Sequence, residues 1–421
     1  MNQRLCAWGQ AALALPLSLA LTAAAWAGAT DAERIAELER KLEALTQRLL
    51  QVEGGNAVTT PLPDRPPAAA APEPSPVPSL PMARPAESGI PIRAFVDLGF
   101  ASDSPDPAGR KGGFTVGNVN LYMTPSFGER IKSIVELVFE QDERGGLVVD
   151  LERVQLGYTA SDALTLWAGR YHTPFGHWNA AFHHGAQIQT SVSRPRFLGF
   201  EDQGGILPVH AVGLLVSGGA ATFGGRSKYD LYIANGTPIV DGTLTISGFK
   251  DDDHSKMLGA NLRHEFDGGL TGLTLGLHAL SSQVGAYDAA GALTGRTRFN
   301  AGGAFAAFDD RGWEVLGEYY AFRNQDLTGA TGTHASWAGY AQLGHTFADT
   351  LTPYVRFEKA ALNQDDPYFA NLLSGRSYRR QSVGLRYDLN PTTALKLEFG
   401  RTQADDGLKS SAVRGQVAVR F

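Results

Sequence analysis

The chain has 421 residues, a formal net charge of −6, 49 glycines and a single cysteine, Cys6. This length allows either several soluble domains or one large barrel. The mildly acidic charge argues against a nucleic-acid-binding protein. The abundance of glycine fits closely packed strands that are joined by tight turns.

Residues 1–27 have the pattern of a secretory signal peptide. Arg4 supplies the positive charge, an apolar run follows from Ala11, and Ala25-Trp26-Ala27 offers a small-x-small cleavage site. The apolar run is shorter than the roughly 20 residues that a membrane-spanning helix needs. We therefore expect a mature chain that leaves the inner membrane and can re-enter a membrane only as a barrel.

Residues 31–53 carry a heptad pattern. Its apolar positions are Ile35, Leu38, Leu42, Leu45, Leu49 and Val52. The pattern predicts a coiled-coil oligomerisation helix in the periplasm, with a solvated single helix as the alternative. Residues 54–91 follow as a linker, because their Pro and Ala favour a semi-rigid, extended backbone.

Residues 92–421 change to a hydrophobic period of two, with sixteen strand-like segments. Apolar and charged residues alternate, as in the run Leu395, Lys396, Leu397, Glu398 and Phe399. Connections after even-numbered segments are short, and those after the first, fifth, seventh, ninth, eleventh, thirteenth and fifteenth segments are predicted to be long. This pattern predicts an all-β fold, a 16-stranded antiparallel transmembrane β-barrel of the bacterial outer membrane with an N-terminal periplasmic coiled-coil helix.

One irregular stretch, within Trp167 to Val212, is the third long connection on the outer side of the predicted barrel. A loop this long is either disordered or functional, and its many aromatic residues argue against disorder. We predict that this loop folds into the mouth of the barrel.

The motif GRYHTPFG at Gly169–Gly176, the run from Thr190-Ser191 to Arg194, and Gly213 at the start of the return strand resemble a known family. This is the phosphate-selective porin O and P family, together with the related trimeric porins that carry an N-terminal coiled coil. The heptad helix, the strand number and the terminal Phe421 extend the resemblance over nearly the whole mature chain. The resemblance implies a homotrimeric passive channel whose third loop narrows the pore.

The residues that we expect to line the pore or its constriction carry charges of both signs. They are Lys132, Glu136, Arg153, Arg170, His183, His184, Arg194, Arg196, Glu201, Asp202, Arg386 and Arg414. Other charged residues on predicted inward faces are Arg356, Lys396, Glu318 and Glu398. Family members known for phosphate selectivity carry a denser ladder of Arg and Lys. The mixed charges favour passive diffusion of small polar or charged solutes, while an anion- or phosphate-selective pore stays open as the alternative.

Half of the ten histidines fall in or beside the long loop, at His172, His177, His183, His184 and His210. A metal site and a pH gate are both conceivable roles for these side chains. However, adjacent histidines cannot easily direct both rings at one ion, and no His-x-x-x-His spacing occurs. We therefore predict structural histidines, no metal site and no cofactor.

Catalysis would need a nucleophile beside a base. Thr190, Ser191 and Ser193 lie near His183 in the sequence, but no G-x-S-x-G motif occurs. We predict no enzymatic activity and no catalytic residues. The expected partners are outer-membrane lipid, small polar or anionic solutes and further copies of the chain. A more remote alternative is a structural envelope tether or adhesin without channel activity.

Overall fold

The computed structural model describes residues 90–105, 112–141, 145–183, 185–201, 203–245, 251 and 253–421. The predicted signal peptide, the coiled-coil helix and nearly all of the linker lie outside these residues and stay predictions. Within the described part of the chain, no helix is long and apolar enough to cross a membrane.

Sixteen antiparallel strands form one closed sheet. They are β1 (Ile92–Ser104), β2 (Gly113–Met123), β3 (Ile131–Gln141), β4 (Leu147–Ser161), β5 (Leu164–His172), β6 (His210–Thr222), β7 (Gly225–Ala234), β8 (Met257–Phe266), β9 (Leu273–Tyr287), β10 (Leu293–Asp310), β11 (Trp313–Asp326), β12 (Thr333–His345), β13 (Leu351–Ala361), β14 (Tyr378–Asn390), β15 (Thr393–Ala404) and β16 (Lys409–Arg420). Three two-residue strands, Ser126–Phe127, Ile239–Val240 and Thr243–Leu244, lie in connections between them.

The sheet closes because β16 pairs antiparallel with β1. Phe95 lies opposite Arg420 at one end of this pairing, and Ser104 lies opposite Ser411 at the other. Every other barrel strand pairs with its neighbour along the chain. The prediction of an all-β, sixteen-stranded antiparallel barrel is confirmed.

The alternating pattern of the sequence corresponds to an apolar outer face and a polar inner face. On β15, Leu397 is 56% exposed and Phe399 46% exposed, whereas Lys396 is 4% exposed and Glu398 1% exposed. Because successive side chains of a strand point to opposite faces, the charged pair faces the interior and the apolar pair faces outward.

The connections also separate by length, although less sharply than predicted. Connections after even-numbered strands are all short, whereas residues 173–209, 235–256 and 362–377 form long loops at the other rim. The prediction of long loops after the ninth, eleventh and fifteenth strands is wrong. The strands extend further, and tight turns at 288–292, 327–332 and 405–408 join them. Gly291 and Gly407 have positive φ angles that permit two of these turns.

Exposed aromatic side chains surround the rim that carries the short turns. They are Phe127, Tyr158, Phe223, Trp313, Phe347 and Tyr387. Transmembrane barrels carry such aromatic girdles at the level of the lipid headgroups.

The connection at 173–209, hereafter loop 3, packs against the inner face of the barrel. It contains a short helix, α1 (Trp178–Ala181), and a 3₁₀ turn at Arg196–Leu198. Trp178 and Leu198 are fully buried and belong to one apolar cluster with wall residues such as Tyr320. Each such buried side chain contributes about 1.5–3 kcal/mol to folding, so the loop has a core of its own.

Candidate functional site

Glu318 on β11 binds the start of helix α1 in loop 3. Its carboxylate accepts hydrogen bonds from the backbone N–H of His177 (2.9 Å) and of Trp178 (2.7 Å). The hydroxyls of Tyr320 and Tyr340 donate to the same carboxylate at 2.8 Å. The first N–H groups of a helix have no partner within the helix, so Glu318 satisfies donors that α1 itself cannot.

Further carboxylates on the wall bind loop 3 in the same way. Glu358 on β13 accepts from the backbone N–H of Arg196 at 2.7 Å. Glu398 on β15 accepts from the backbone N–H (3.3 Å) and the hydroxyl of Ser193. This side of the barrel therefore binds the backbone of loop 3 through a row of acidic side chains.

Cations on the same wall bind the carbonyl groups of loop 3. Arg356 on β13 is fully buried, and its guanidinium donates to the backbone carbonyls of Ser193 (2.8 Å) and Arg194 (3.3 Å). The Lys396 ammonium donates to the carbonyls of Gln189 (2.6 Å), Ser191 (3.3 Å) and Ala186. The hydrogen bonds of these two cations are therefore directed to the backbone of loop 3.

Two residues that the sequence places at the constriction also bind carbonyl groups of loop 3, Arg386 from the wall and Arg194 from within the loop. Arg386 donates to the carbonyls of Gln187 (2.7 Å) and Gln189 (2.9 Å). Arg194 donates to the carbonyls of Leu198 and His183 at 2.9 Å. Burial lowers the pKa of Arg194 to about 10, which still leaves it charged at neutral pH.

Other predicted pore residues are spread over the barrel. Arg196 is exposed, and its guanidinium lies 4.9 Å from the centre of the Tyr378 ring. Lys132 is exposed near the rim with the short turns, and Arg414 pairs with Asp103 at 3.0 Å. Arg170 is buried on β5. His184 and Asp202 lie outside the described residues.

Four potential metal ligands meet where loop 3 joins the wall between β4 and β6. One ligand atom from each of Glu152, His172, His183 and His210 lies within 4.8 Å of the others, and this set is hereafter the histidine cluster. The Nε2 atoms of His183 and His210 are 2.9 Å apart, and His210 Nε2 lies 2.5 Å from a Glu152 oxygen. The rings of His172 and His183 stack at 3.4 Å.

Three of the predicted site residues surround this cluster. Glu201 is fully buried and accepts from the backbone N–H of His210 at 3.0 Å. Glu136 lies 3.3 Å from His172 and forms an ion pair with Arg153. The structure therefore brings His183, Glu136, Arg153 and Glu201 together, away from Arg386.

Sequence reasoning missed Glu152 in particular. The register between β3 and β4 shifts after Glu136, which pairs with Arg153, while Leu137 pairs with Leu151. Glu152 is the extra residue of this β-bulge, and a bulge changes which face a side chain occupies. The sequence did contain one signal of the cluster, the pair His172 and His210 at the two ends of one loop. Such residues lie opposite each other when the strands that flank the loop pair.

His177 is the other histidine of loop 3 among the described residues. Burial lowers the pKa of His177 below that of an ordinary histidine. It therefore gains a proton only in more acidic solution than a free histidine would.

Loop 3 is anchored on two opposite sides of the barrel. The histidine cluster includes His172 on β5, and the Arg356 anchor is on β13, eight strands further around a ring of sixteen. Since strands half a ring apart face each other, the loop extends across the interior.

Neither a known family profile nor a curated protein matches the chain. Solved structures do match it. The anion-selective porin from Comamonas acidovorans has 14% identity and a TM-score of 0.54, covering 79% of this chain and 99% of that chain. The outer membrane channel DcaP of Acinetobacter baumannii has 12% identity and a TM-score of 0.53, covering 79% and 97%. A trimer form of OmpT, an outer membrane protein of Vibrio cholerae, has 10% identity and a TM-score of 0.52, covering 79% and 99%.

The chain has the fold of an outer-membrane porin. Identities of 10–14% show this fold and nothing finer. Membership of the phosphate-selective porin O and P family is therefore not confirmed, and that resemblance stays a prediction.

Proposed function

We propose that this porin-fold protein is a passive diffusion channel of the bacterial outer membrane for small polar or charged solutes. The observation that carries the proposal is the closed ring of sixteen strands with an apolar outer face and a charged inner face. Such a surface suits lipid outside and water inside. The aromatic side chains at the rim of short turns support the same orientation in a membrane.

Loop 3 supplies the narrowing in this proposal. Its attachment to β5 and β13 across the interior supports a constriction, because any solute has to pass beside it. Purified protein in a planar bilayer is expected to produce discrete current steps. Protein that is folded and inserted but gives no steps would overturn the channel proposal and favour the envelope tether.

The hydroxyls of loop 3 support a channel over an enzyme. Thr190 donates to a Glu314 oxygen at 2.6 Å, and Ser193 donates to Glu398. Ser191 donates to the backbone carbonyl of Ser193 at 2.9 Å. A nucleophile would instead donate to a histidine base, so these contacts fit anchoring of the loop.

Anion selectivity is the second candidate function, and Arg196 is the observation that favours it. Its exposed guanidinium contrasts with Arg194, Arg356 and Arg386, which bind loop carbonyls. One of the similar structures is described as an anion-selective porin.

Arg196→Gln is expected to lower the chloride-to-potassium permeability ratio, by up to about five-fold if the charge lies within contact distance of the ion. Arg194→Gln, the matched variant, is expected to change thermal stability more than selectivity, because Arg194 binds loop carbonyls. The measurement is the reversal potential under a KCl gradient. Equal shifts from both variants would contradict the separate roles of the two arginines.

We also propose a homotrimer that is held partly by the periplasmic coiled coil at residues 31–53. Deleting Asp31 to Glu53 is expected to leave the conductance of each barrel unchanged and to lower the temperature at which trimers dissociate on a gel. The reason is that a helix of about three heptads is marginal alone and stabilises an assembly that other contacts already hold together. Unchanged dissociation of the deletion variant would remove this role from the helix.

A further inference from the structure

The hydrogen bonds around His183 determine which of its ring nitrogens carries the hydrogen. Both amide hydrogens of Asn179 are donated, to the backbone carbonyls of Thr173 (2.8 Å) and Val209 (3.2 Å). Asn179 Oδ1 therefore faces His183 Nδ1, which lies 2.8 Å away and has to carry the hydrogen. The neutral His183 ring then has its lone pair on Nε2.

His210 is oriented in the same manner by Glu201. The two carboxylate oxygens of Glu201 accept from the backbone N–H of His210 at 3.0 Å and from its Nδ1 at 3.1 Å. The neutral His210 ring likewise has its lone pair on Nε2. Metal-binding histidines commonly show this arrangement, in which the second ring nitrogen donates to a carboxylate or an amide.

These constraints place the two imidazole Nε2 atoms 2.9 Å apart and a Glu152 carboxylate oxygen 2.5 Å from His210 Nε2. Either a proton that His210 donates to Glu152 or a metal cation has to lie between these atoms, and a metal ion that binds here displaces that proton. Imidazole nitrogen and carboxylate oxygen are the ligand types that zinc takes. Zinc ligands about 2.0–2.1 Å from the ion lie roughly 3.3 Å apart in a tetrahedron. The closest separations in the cluster, 2.5 Å and 2.9 Å, are shorter than this value, so the side chains would have to move slightly apart around an ion.

We propose that Glu152, His172, His183 and His210 bind a divalent transition-metal ion of the zinc class. Glu152 is on β4, His172 on β5 and His210 on β6, whereas His183 is in loop 3. A bound ion would therefore fasten loop 3 to this wall, half a ring away from the β13 anchor. The site is a property of the loop and does not depend on which solute the barrel passes.

The experiment uses the purified full-length protein in detergent, stripped with a chelator and then equilibrated with Zn²⁺. Equilibrium dialysis with elemental analysis is expected to give a single tightly bound zinc ion per chain. His254→Ala is the matched control, because His254 is an exposed histidine in the connection between β7 and β8. It is expected to bind zinc as the unmodified protein does.

Variants of the cluster separate ligands from supporting groups. His183→Gln and Glu152→Gln are expected to weaken zinc binding by more than about 100-fold, and Glu201→Gln by about 10- to 100-fold. Cobalt(II) is expected to give the visible absorption bands of a tetrahedral site in the unmodified protein and in His254→Ala. The His183→Gln variant is expected to lose these bands.

Folding is checked on the same samples by the heat-induced shift of the barrel band on a cold gel. Folded cluster variants that bind zinc as tightly as His254→Ala would overturn the proposal. So would unmodified protein that takes up no more zinc than Glu152→Gln. In that case the three acceptors share a proton and hold no metal ion.

Discussion

Replacing Arg356 with alanine is expected to lower the free energy of unfolding by about 3–5 kcal/mol and to release loop 3 from β13. The Arg356 side chain has no exposed surface and pairs with Glu358, which has none either, at 2.9 Å. Removing the guanidinium leaves the buried Glu358 carboxylate with only the more distant Arg380, at 3.9 Å, as its counter-charge. It also removes the donor from the carbonyls of Ser193 and Arg194.

Two measurements test this expectation. The first is the temperature at which the folded barrel unfolds on a cold gel, and the second is the current noise of single channels. Arg263→Met is the matched control, because Arg263 pairs with Asp230 but keeps 26% of its side chain exposed. A partly solvated pair contributes about 1 kcal/mol or less, so this variant should stay close to the unmodified protein. Equal unfolding temperatures of Arg356→Ala and Arg263→Met would contradict the anchoring role of Arg356.

The barrel was predictable because its signals are local. A period of two fixes the face of each side chain, and turn residues fix where each strand ends. The predicted segment 393–401 coincides with most of β15, and its alternation of apolar and charged residues appears directly in the burial. The turns at 288–292 and 405–408 were harder, because Gly and Asp occur in long loops and tight turns alike.

The anchoring of loop 3 was less predictable, because it depends on contacts between distant parts of the chain. Glu318 and His177 are 141 positions apart, and Arg356 and Ser191 are 165 apart. The sequence shows that these wall residues face inward, but it does not show that the loop meets them there. Arg386 was accordingly expected at the pore, whereas the structure has it bound to loop carbonyls.

The histidine cluster shows a different limit of sequence reasoning. The search for ligands tested adjacent and helical spacings, and both fail here. The actual set comes from three strands and a loop, and one member depends on a bulge. The extra residue of the bulge changes which side chains of β4 face inward. A hydrophobic period of two does not show where such a bulge lies.

The second large effect is expected at Glu318, whose replacement with alanine should detach helix α1 from β11. The carboxylate accepts from two backbone N–H groups and from the hydroxyls of Tyr320 and Tyr340. All of these donors lose their partner in Glu318→Ala. Each buried donor left without an acceptor costs about 1–3 kcal/mol, so the total is expected to exceed about 4 kcal/mol. The loss falls on loop 3, whose other anchors remain.

Limited proteolysis of the folded barrel should therefore cut loop 3 in Glu318→Ala, while the strands stay resistant. Single-channel currents should rise and become noisier, because the released loop no longer holds one position. Glu265→Ala is the matched control, since Glu265 pairs with Lys228 and keeps 39% of its side chain exposed. The cleavage of loop 3 in Glu318→Gln is expected to be intermediate between that in Glu318→Ala and that in Glu265→Ala. The reason is that the amide keeps one acceptor oxygen, whereas its NH₂ group faces the other hydrogen-bond donors. Resistance of loop 3 in Glu318→Ala equal to that in Glu265→Ala would show that the other wall anchors and the apolar packing of Trp178 and Leu198 hold the loop without Glu318.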